Sequence, residues 1–160
     1  MKKLWLFVVC VLSLALHAPP AQAQQLTVQN AGQSVVLNRS DIEALPHVKI
    51  SAGTPPDSST FEGVSLRSVL EKAGITFGES LRGKRLASCL LVEAADGYSV
   101  VIALPELDPA FADKQIMLAF MRNGKSLDEK EGPYRIVIPD EKRMARWVRQ
   151  VTTLKIQDVQ

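Results

Sequence analysis

The segment from Leu86 to Ala95 is nearly all apolar, Asp96-Gly97 follows, and Tyr98 to Leu104 is again rich in β-forming side chains. No other stretch restricts the fold as tightly. Asp-Gly between two such runs predicts a β-hairpin closed by a type I′ turn, whose two central residues need positive φ. The unbroken apolar arm predicts a strand buried on both faces. A second turn of the same chemistry is expected at Asn123-Gly124, after the β-prone run Gln115 to Met121.

The remaining elements read as short. Leu26-Thr27-Val28 and Ser34 to Leu37 are two strands around Asn30-Ala31-Gly32. Ser40-Asp41-Ile42-Glu43 has the spacing of a capping box and starts a short helix that Pro46 stops. Val48, Ile50 and Ala52 alternate with polar neighbours as in a half-buried strand, and Gly53 to Ser59 with Pro55-Pro56 is a loop. Ser65 is placed to cap a helix from Leu66 to Ala73. Its Leu66, Val69, Leu70 and Ala73 share one face, and Gly74 fits the left-handed stop. Tyr134 to Ile138 and Val151 to Ile156 supply the last strands, with a helical turn or short helix around Glu141 to Trp147. Long βαβ units are absent, which excludes a Rossmann sheet. The fold class expected is α+β: mixed and β-rich, with short helices.

The first residues carry a different message. Met1-Lys2-Lys3 precedes an apolar run from Leu4 to Leu16, then Pro19-Pro20 and Ala21-Gln22-Ala23. A basic start, a short apolar stretch and a small-x-small site make a secretory signal peptide. The run is too short to span a bilayer, which takes about 20 apolar residues. Residues 1–23 are therefore expected to be removed on export to the periplasm, leaving 24–160 as a single domain with no membrane span. The chain has 19 Lys and Arg against 17 Asp and Glu, and two of the lysines, Lys2 and Lys3, would leave with the signal. The mature domain is then formally neutral, and nothing in its charge points to nucleic acid. Only Cys89 and His47 remain of their types. A domain with one cysteine has no internal disulfide, so an exported one must rest on its packed core.

Familiar catalytic apparatus is missing. His47 stands alone, with no Gly-x-Ser-x-Gly elbow, so a serine hydrolase is excluded. One His and one Cys do not make a zinc site. Asn123-Gly124-Lys125-Ser126 resembles the tail of a phosphate loop, but Ala119 stands where the first glycine belongs and no helix follows. Asn38-Arg39-Ser40 matches a glycosylation sequon, although Ser40 is better read as a cap. Glu93 with Asp96, or Glu106 with Asp108, could pair for acid–base work, as could carboxylates of any acidic loop. Cys89 lies inside the apolar strand, where burial raises a thiol's pKa and disfavours thiolate chemistry. No catalytic residue and no metal ligand is assigned.

One basic constellation stands out. Arg135, Lys142, Arg143, Arg146 and Arg149 follow one another, and on a helical turn Lys142, Arg143 and Arg146 would converge beside Trp147. With Tyr98 from the Asp96-Gly97 turn, they would line a cleft for phosphate or carboxylate. The alternative is a solvated face neutralised by Asp140 and Glu141.

Taken in order, several segments resemble a known family. Phe61-Glu62-Gly63-Val64-Ser65-Leu66-Arg67-Ser68-Val69-Leu70, ending at Ala73-Gly74-Ile75, is similar to the Gly-x-Pro-Leu segment of sulfite-oxidase-type molybdopterin-binding domains. Ala95-Asp96-Gly97-Tyr98, Leu104-Pro105-Glu106-Leu107, Leu118-Ala119-Phe120 with Asn123-Gly124, Gly132 to Pro139, and Arg146-Trp147-Val148-Arg149 with Leu154-Lys155-Ile156 follow in the family's order. The resemblance spans about Leu26 to Ile156. It implies the sulfite-oxidase-like α+β fold and, in catalytic members, a molybdopterin cofactor doing redox chemistry. In those members the metal's cysteine precedes the Gly-x-Pro-Leu segment. Between Val48 and Val64 this chain has Ser58, Ser59 and Thr60 and no cysteine, and Ser65 replaces the proline. A hydroxyl does not imitate the soft thiolate, and Cys89 comes after the segment, so the ligand role does not pass to it. Three readings follow. The first is a non-catalytic module binding a small anionic ligand or a partner, such as a periplasmic or membrane redox or sensor protein. The second is an oxidoreductase, or subunit of one, that retains molybdopterin. The third is a purely structural partner-binding domain.

Overall fold

The computed structural model describes residues 24–158. The segment expected to be a signal peptide, 1–23, lies outside the described residues. Strands β1 (Gln25–Asn30) and β2 (Gln33–Asn38) form the first hairpin. Ala31 and Gly32 both take positive φ, 47° and 80°, as a type I′ turn demands. Helix α1 (Arg39–Glu43) starts directly from the end of β2, so its cap falls two residues before the expected Ser40. The Asn38 side chain accepts from the Asp41 amide and Asp41 accepts from the Asn38 amide, each at 3.0 Å. Ser40 is already helical, and its hydroxyl donates to Asn38 Oδ1.

Strand β3 (His47–Ala52) alternates as expected and pairs with β4 (Ser59–Ser65). Helix α2 (Leu66–Lys72) buries Leu66, Val69 and Leu70. It ends in a Schellman motif: the Gly74 amide donates to Glu71 O and the Ile75 amide to Leu70 O, both at 2.9 Å, with Gly74 at φ 89°. Ser65 occupies the N-cap position without making a capping bond; the Leu66 amide donates to Ile116 O instead.

The central hairpin departs from the expectation in two ways. Gly83–Ala87 is a 3₁₀ turn, so β5 runs only from Cys89 to Ala94, paired with β6 (Ser99–Ala103). Leu90, Val92 and Ala94 are buried while Cys89, Leu91 and Glu93 are half-buried, so β5 packs one face rather than two. The turn also differs. Gly97 has positive φ and Asp96 does not. The Gly97 amide donates to Ala94 O (3.1 Å) and the Ala94 amide to Tyr98 O (2.9 Å), which is a three-residue loop with a type I turn and a glycine bulge. Pairing of Glu93 with Ser99 leaves room for that longer loop.

After the 3₁₀ turn Leu104–Leu107 comes β7 (Met117–Arg122), turning through Asn123 and Gly124 into β8 (Lys125–Ser126). Both turn residues have positive φ, 51° and 76°, so the expected type I′ turn is present here. Strand β9 (Arg135–Val137) pairs with β7, and β10 (Val151–Gln157) closes the chain. The expected helix around Glu141 to Trp147 is a single 3₁₀ turn, Met144–Arg146. One sheet runs β2-β1-β10-β5-β6, with β1 and β10 parallel; the other runs β3-β4-β7-β8, with β9 also on β7. Leu26, Leu90, Leu154, Leu118, Tyr134 and Phe120 belong to one buried core. The architecture is the β-rich α+β class expected. No described helix is long and apolar enough to cross a membrane.

Candidate functional site

Three places carry candidate chemistry. The first is the β3–β4 loop, where the resemblance would place a metal-binding cysteine. Ser51 and Thr60 face each other across the strand pair with hydroxyl oxygens 3.5 Å apart. The Thr60 amide donates to Asn123 Oδ1 (2.9 Å) and the Asn123 amide to Thr60 O (2.7 Å), stapling the start of β4 to the β7–β8 turn. The side-chain donors here are hydroxyl and amide oxygens. Cys89 heads β5 in the other sheet, opposite Gln157 and Ala103. Among the described residues no three His, Cys, Asp or Glu side chains group as a metal site. These residues do not fit a thiolate-anchored molybdenum centre.

The second place is the basic constellation, which the structure disperses. Arg135 is buried at 9 % exposure, and its Nη1 donates to Glu131 Oε1 at 2.6 Å. Its guanidinium lies 5.5 Å from the Phe61 ring and 5.6 Å from that of Trp147, and burial pulls its pKa down against the pull of Glu131. Arg146 bonds Glu141, both oxygens of Glu106 and the Val101 carbonyl. The Glu106 hydrogen bonds raise its pKa. Lys142 and Arg143 are exposed. Helical spacing does not bring these side chains together, because the segment is a 3₁₀ turn. The Tyr98 hydroxyl donates to Ala145 O at 2.7 Å, and the residue lines a cleft of about 250 Å³ that none of Arg135, Lys142, Arg143 and Arg146 lines. Met144, Trp147, Arg149 and Asp96 also line this cleft. Arg149 is its one lining cation, with Asp96 as counter-charge.

The third place is the pair Glu106 and Asp108. Burial pushes the Glu106 carboxyl upward, but hydrogen bonds from Arg146, Lys114 and the Ala103 amide win and hold it at about 2. For Asp108 the amides of Ala110 (3.0 Å) and Gly78 (2.6 Å), with Arg67 Nη1 at 3.2 Å, hold the carboxyl below its ordinary value. Both are carboxylates at neutral pH, so neither donates a proton, and both serve as structural ties. His47 sits at the strand edge, donating from Nε2 to Glu43 O (2.9 Å) with its ring against Phe120.

The Glu106 network has a measurable consequence. A folded-state value near 2, against an ordinary 4.5, gives stability that is present above pH 4.5 and lost as pH falls toward 2. Full linkage would be about 3 kcal/mol, and solvent screening of this half-buried group reduces it to about 1–2 kcal/mol. Glu106→Gln should lower stability at pH 7 by that amount and flatten the acid limb of urea-unfolding curves between pH 4.5 and 2. An unchanged acid limb would show that the network carries no net free energy.

The family model for the oxidoreductase molybdopterin binding domain matches residues 16–160. Among solved structures, the crystal structure of the sulfane dehydrogenase SoxCD from Paracoccus pantotrophus is similar, with a TM-score of 0.65 at 20% sequence identity. The match covers 84% of this chain and 38% of that one, so this chain spans well under half of the structure it resembles. At that identity the likeness concerns the fold. Comparison with curated proteins finds no match.

Proposed function

The chain belongs to the oxidoreductase molybdopterin-binding domain family, and we propose that within it this is an exported, non-catalytic member that binds a small anion rather than oxidising one. The observation that carries the reading is the donor set at the β3–β4 loop: Ser51, Thr60 and Asn123 offer oxygen, and Cys89, the one cysteine among the described residues, belongs to the other sheet. Thiolate is a soft ligand and serves as the protein's anchor in catalytic members; oxygen donors favour harder ions. Glu106 and Asp108, whose carboxyls fixed donors hold below their ordinary pKa values, are structural ties in this reading and take no part in proton transfer. Export rests on the basic, apolar and small-x-small pattern of residues 1–23. A periplasmic or membrane redox or sensor protein is the partner such a module would serve, and the exposed Tyr98, Val101 and Met144 offer it an apolar face.

Purification from the periplasm of cells that make molybdopterin tests both parts. The recovered chain should begin at Gln24 by intact mass and carry less than about a tenth of an equivalent of molybdenum. Stoichiometric molybdenum or pterin would overturn the non-catalytic reading. A cytoplasmic chain of full mass would overturn export.

A further inference from the structure

A cavity of about 340 Å³ opens where β3 and the end of β4 meet the segment leading into β7. Its floor is apolar: Val48 and Ile50 from β3, Leu107 at the end of the 3₁₀ turn and Pro109 after it, Ile116 just before β7 and Met117 at its start. Lys49, Arg67 and Lys114 also line it, and no acidic side chain does. Each cation is held from outside the cavity. Lys49 pairs with Glu62 (3.0 Å), Arg67 with Glu71 (2.8 Å) and Asp108 (3.2 Å), and Lys114 with Glu106. Those pairs fix the stems and leave donors over, because an ammonium has three N–H groups and a guanidinium five. Lys49 and Lys114 each spend one, and Arg67 Nη2 has no partner among the described residues. Ser65 adds a hydroxyl that makes no capping bond.

The geometry points to a binding site for a small organic carboxylate with an apolar body. Its charged end would meet Arg67 and Lys114, and its body would cover Val48, Ile50 and Ile116. The cations are paired, so what favours an anion's charged end is the unspent donors of Arg67 Nη2 and the Lys114 ammonium, with no acid in the lining to compete for them. The apolar floor selects against a bare hydrated ion such as phosphate, because burying hydrocarbon against it is where binding free energy is gained. The volume lies in the range of small-molecule sites. At a water's share of ~30 Å³ per non-hydrogen atom it takes a body of about ten such atoms. The inference deepens the proposed function and rests on it in one respect, that the bound anion is held and not oxidised.

Octanoate and 3-phenylpropionate are the probes, titrated into isotopically labelled mature protein of assayed molybdenum content. Metal content then judges the non-catalytic reading, and the titration judges this one. Saturable shifts are expected at the amides of Val48, Ile50 and Ile116, and not at Tyr98 or Arg149. Octanamide should bind about tenfold more weakly, as should the Lys114→Gln protein to octanoate, from loss of a charge-assisted hydrogen bond. Arg67→Gln supplies the same reading should Lys114→Gln disturb the fold, and Lys142→Gln should leave affinity unchanged. No saturable shift with either probe, equal affinity for octanamide, or full competition by inorganic phosphate would each overturn the assignment.

Discussion

Gly63→Ala is expected to cost at least about 3 kcal/mol, enough to lower the melting temperature by about 10 °C in a domain of this size. A Cβ at this position would lie 2.1 Å from the Leu118 carbonyl oxygen and 2.6 Å from the Ala119 Cα. Those atoms are backbone, and they belong to the strand that β4 pairs with, so no side chain can swing aside to relieve the clash. The reason for the closeness is a register shift: Glu62 pairs with Met121 while Gly63 pairs with Ala119, which leaves Phe120 unpaired as a bulge on β7. A glycine in a strand interior marks such an approach of two backbones. The strands β4 and β7 carry Phe61, Val64, Met117 and Leu118, all buried, so forcing them apart opens the core as well as the ladder. Gly124→Ala is the control. Its φ is 76° with nothing within 4 Å of the added carbon, so only the backbone penalty of about 1 kcal/mol applies. Thermal and urea unfolding of both proteins decides the matter. Equal losses at the two glycines would show that the strands accommodate the methyl group.

The same glycine shows what was legible in the chain. Gly63 lies in the motif that links this sequence to its family, but the reason for it, the approach of Leu118 and Ala119, is a contact between distant segments. The paired positive-φ turns at Ala31-Gly32 and Asn123-Gly124 and the stop at Gly74 are local. Each is decided by what one or two residues can adopt. The Asp96-Gly97 turn was misread because its type depends on where β5 and β6 come into register, and burial of Leu90, Val92 and Ile102 decides that. The apolar side chain of Leu91 on its outer face gave β5 the composition of a fully buried strand, though it packs on one side. Pairing of β1 with β10 joins Thr27 to Thr153, a contact no local pattern encodes. Site residues were harder still. Arg146 finds Glu106 forty residues away, and the cavity cations Lys49, Arg67 and Lys114 come from three separate segments. Helical spacing grouped Lys142, Arg143 and Arg146, which a single 3₁₀ turn does not bring together, and a side chain's charge counts for binding only after its internal partners are known.

Glu131→Gln is expected to destabilise the domain by about 3 kcal/mol, although it changes one oxygen to an amide. Glu131 and Arg135 have side chains only 12% and 11% exposed. One carboxylate oxygen of Glu131 accepts from Arg135 at 2.6 Å and from Arg122 at 2.9 Å. The other oxygen and Arg135 Nε have no partner among the described groups, so the ion pair is already only partly satisfied. Removing the negative charge leaves a guanidinium that remains protonated in a site where Phe61 and Trp147 are its main remaining company. Two ring contacts are each worth about 0.5–2 kcal/mol and do not offset the loss of a buried counter-charge. Removing both charges should behave differently. Arg135→Met keeps the packing against the two rings and needs no counter-ion, so Glu131→Gln with Arg135→Met should recover most of the loss. The double-mutant cycle should then give a coupling of about 2 kcal/mol or more. By comparison, the exposed pair Arg39–Glu43 should couple by about 0.5 kcal/mol or less. A cost below about 1 kcal/mol for Glu131→Gln would mean that water reaches Arg135. Arg135 would then be open to an outside anion after all, whereas the full cost confirms that its charge is spent on holding β9 against Phe61 and Trp147.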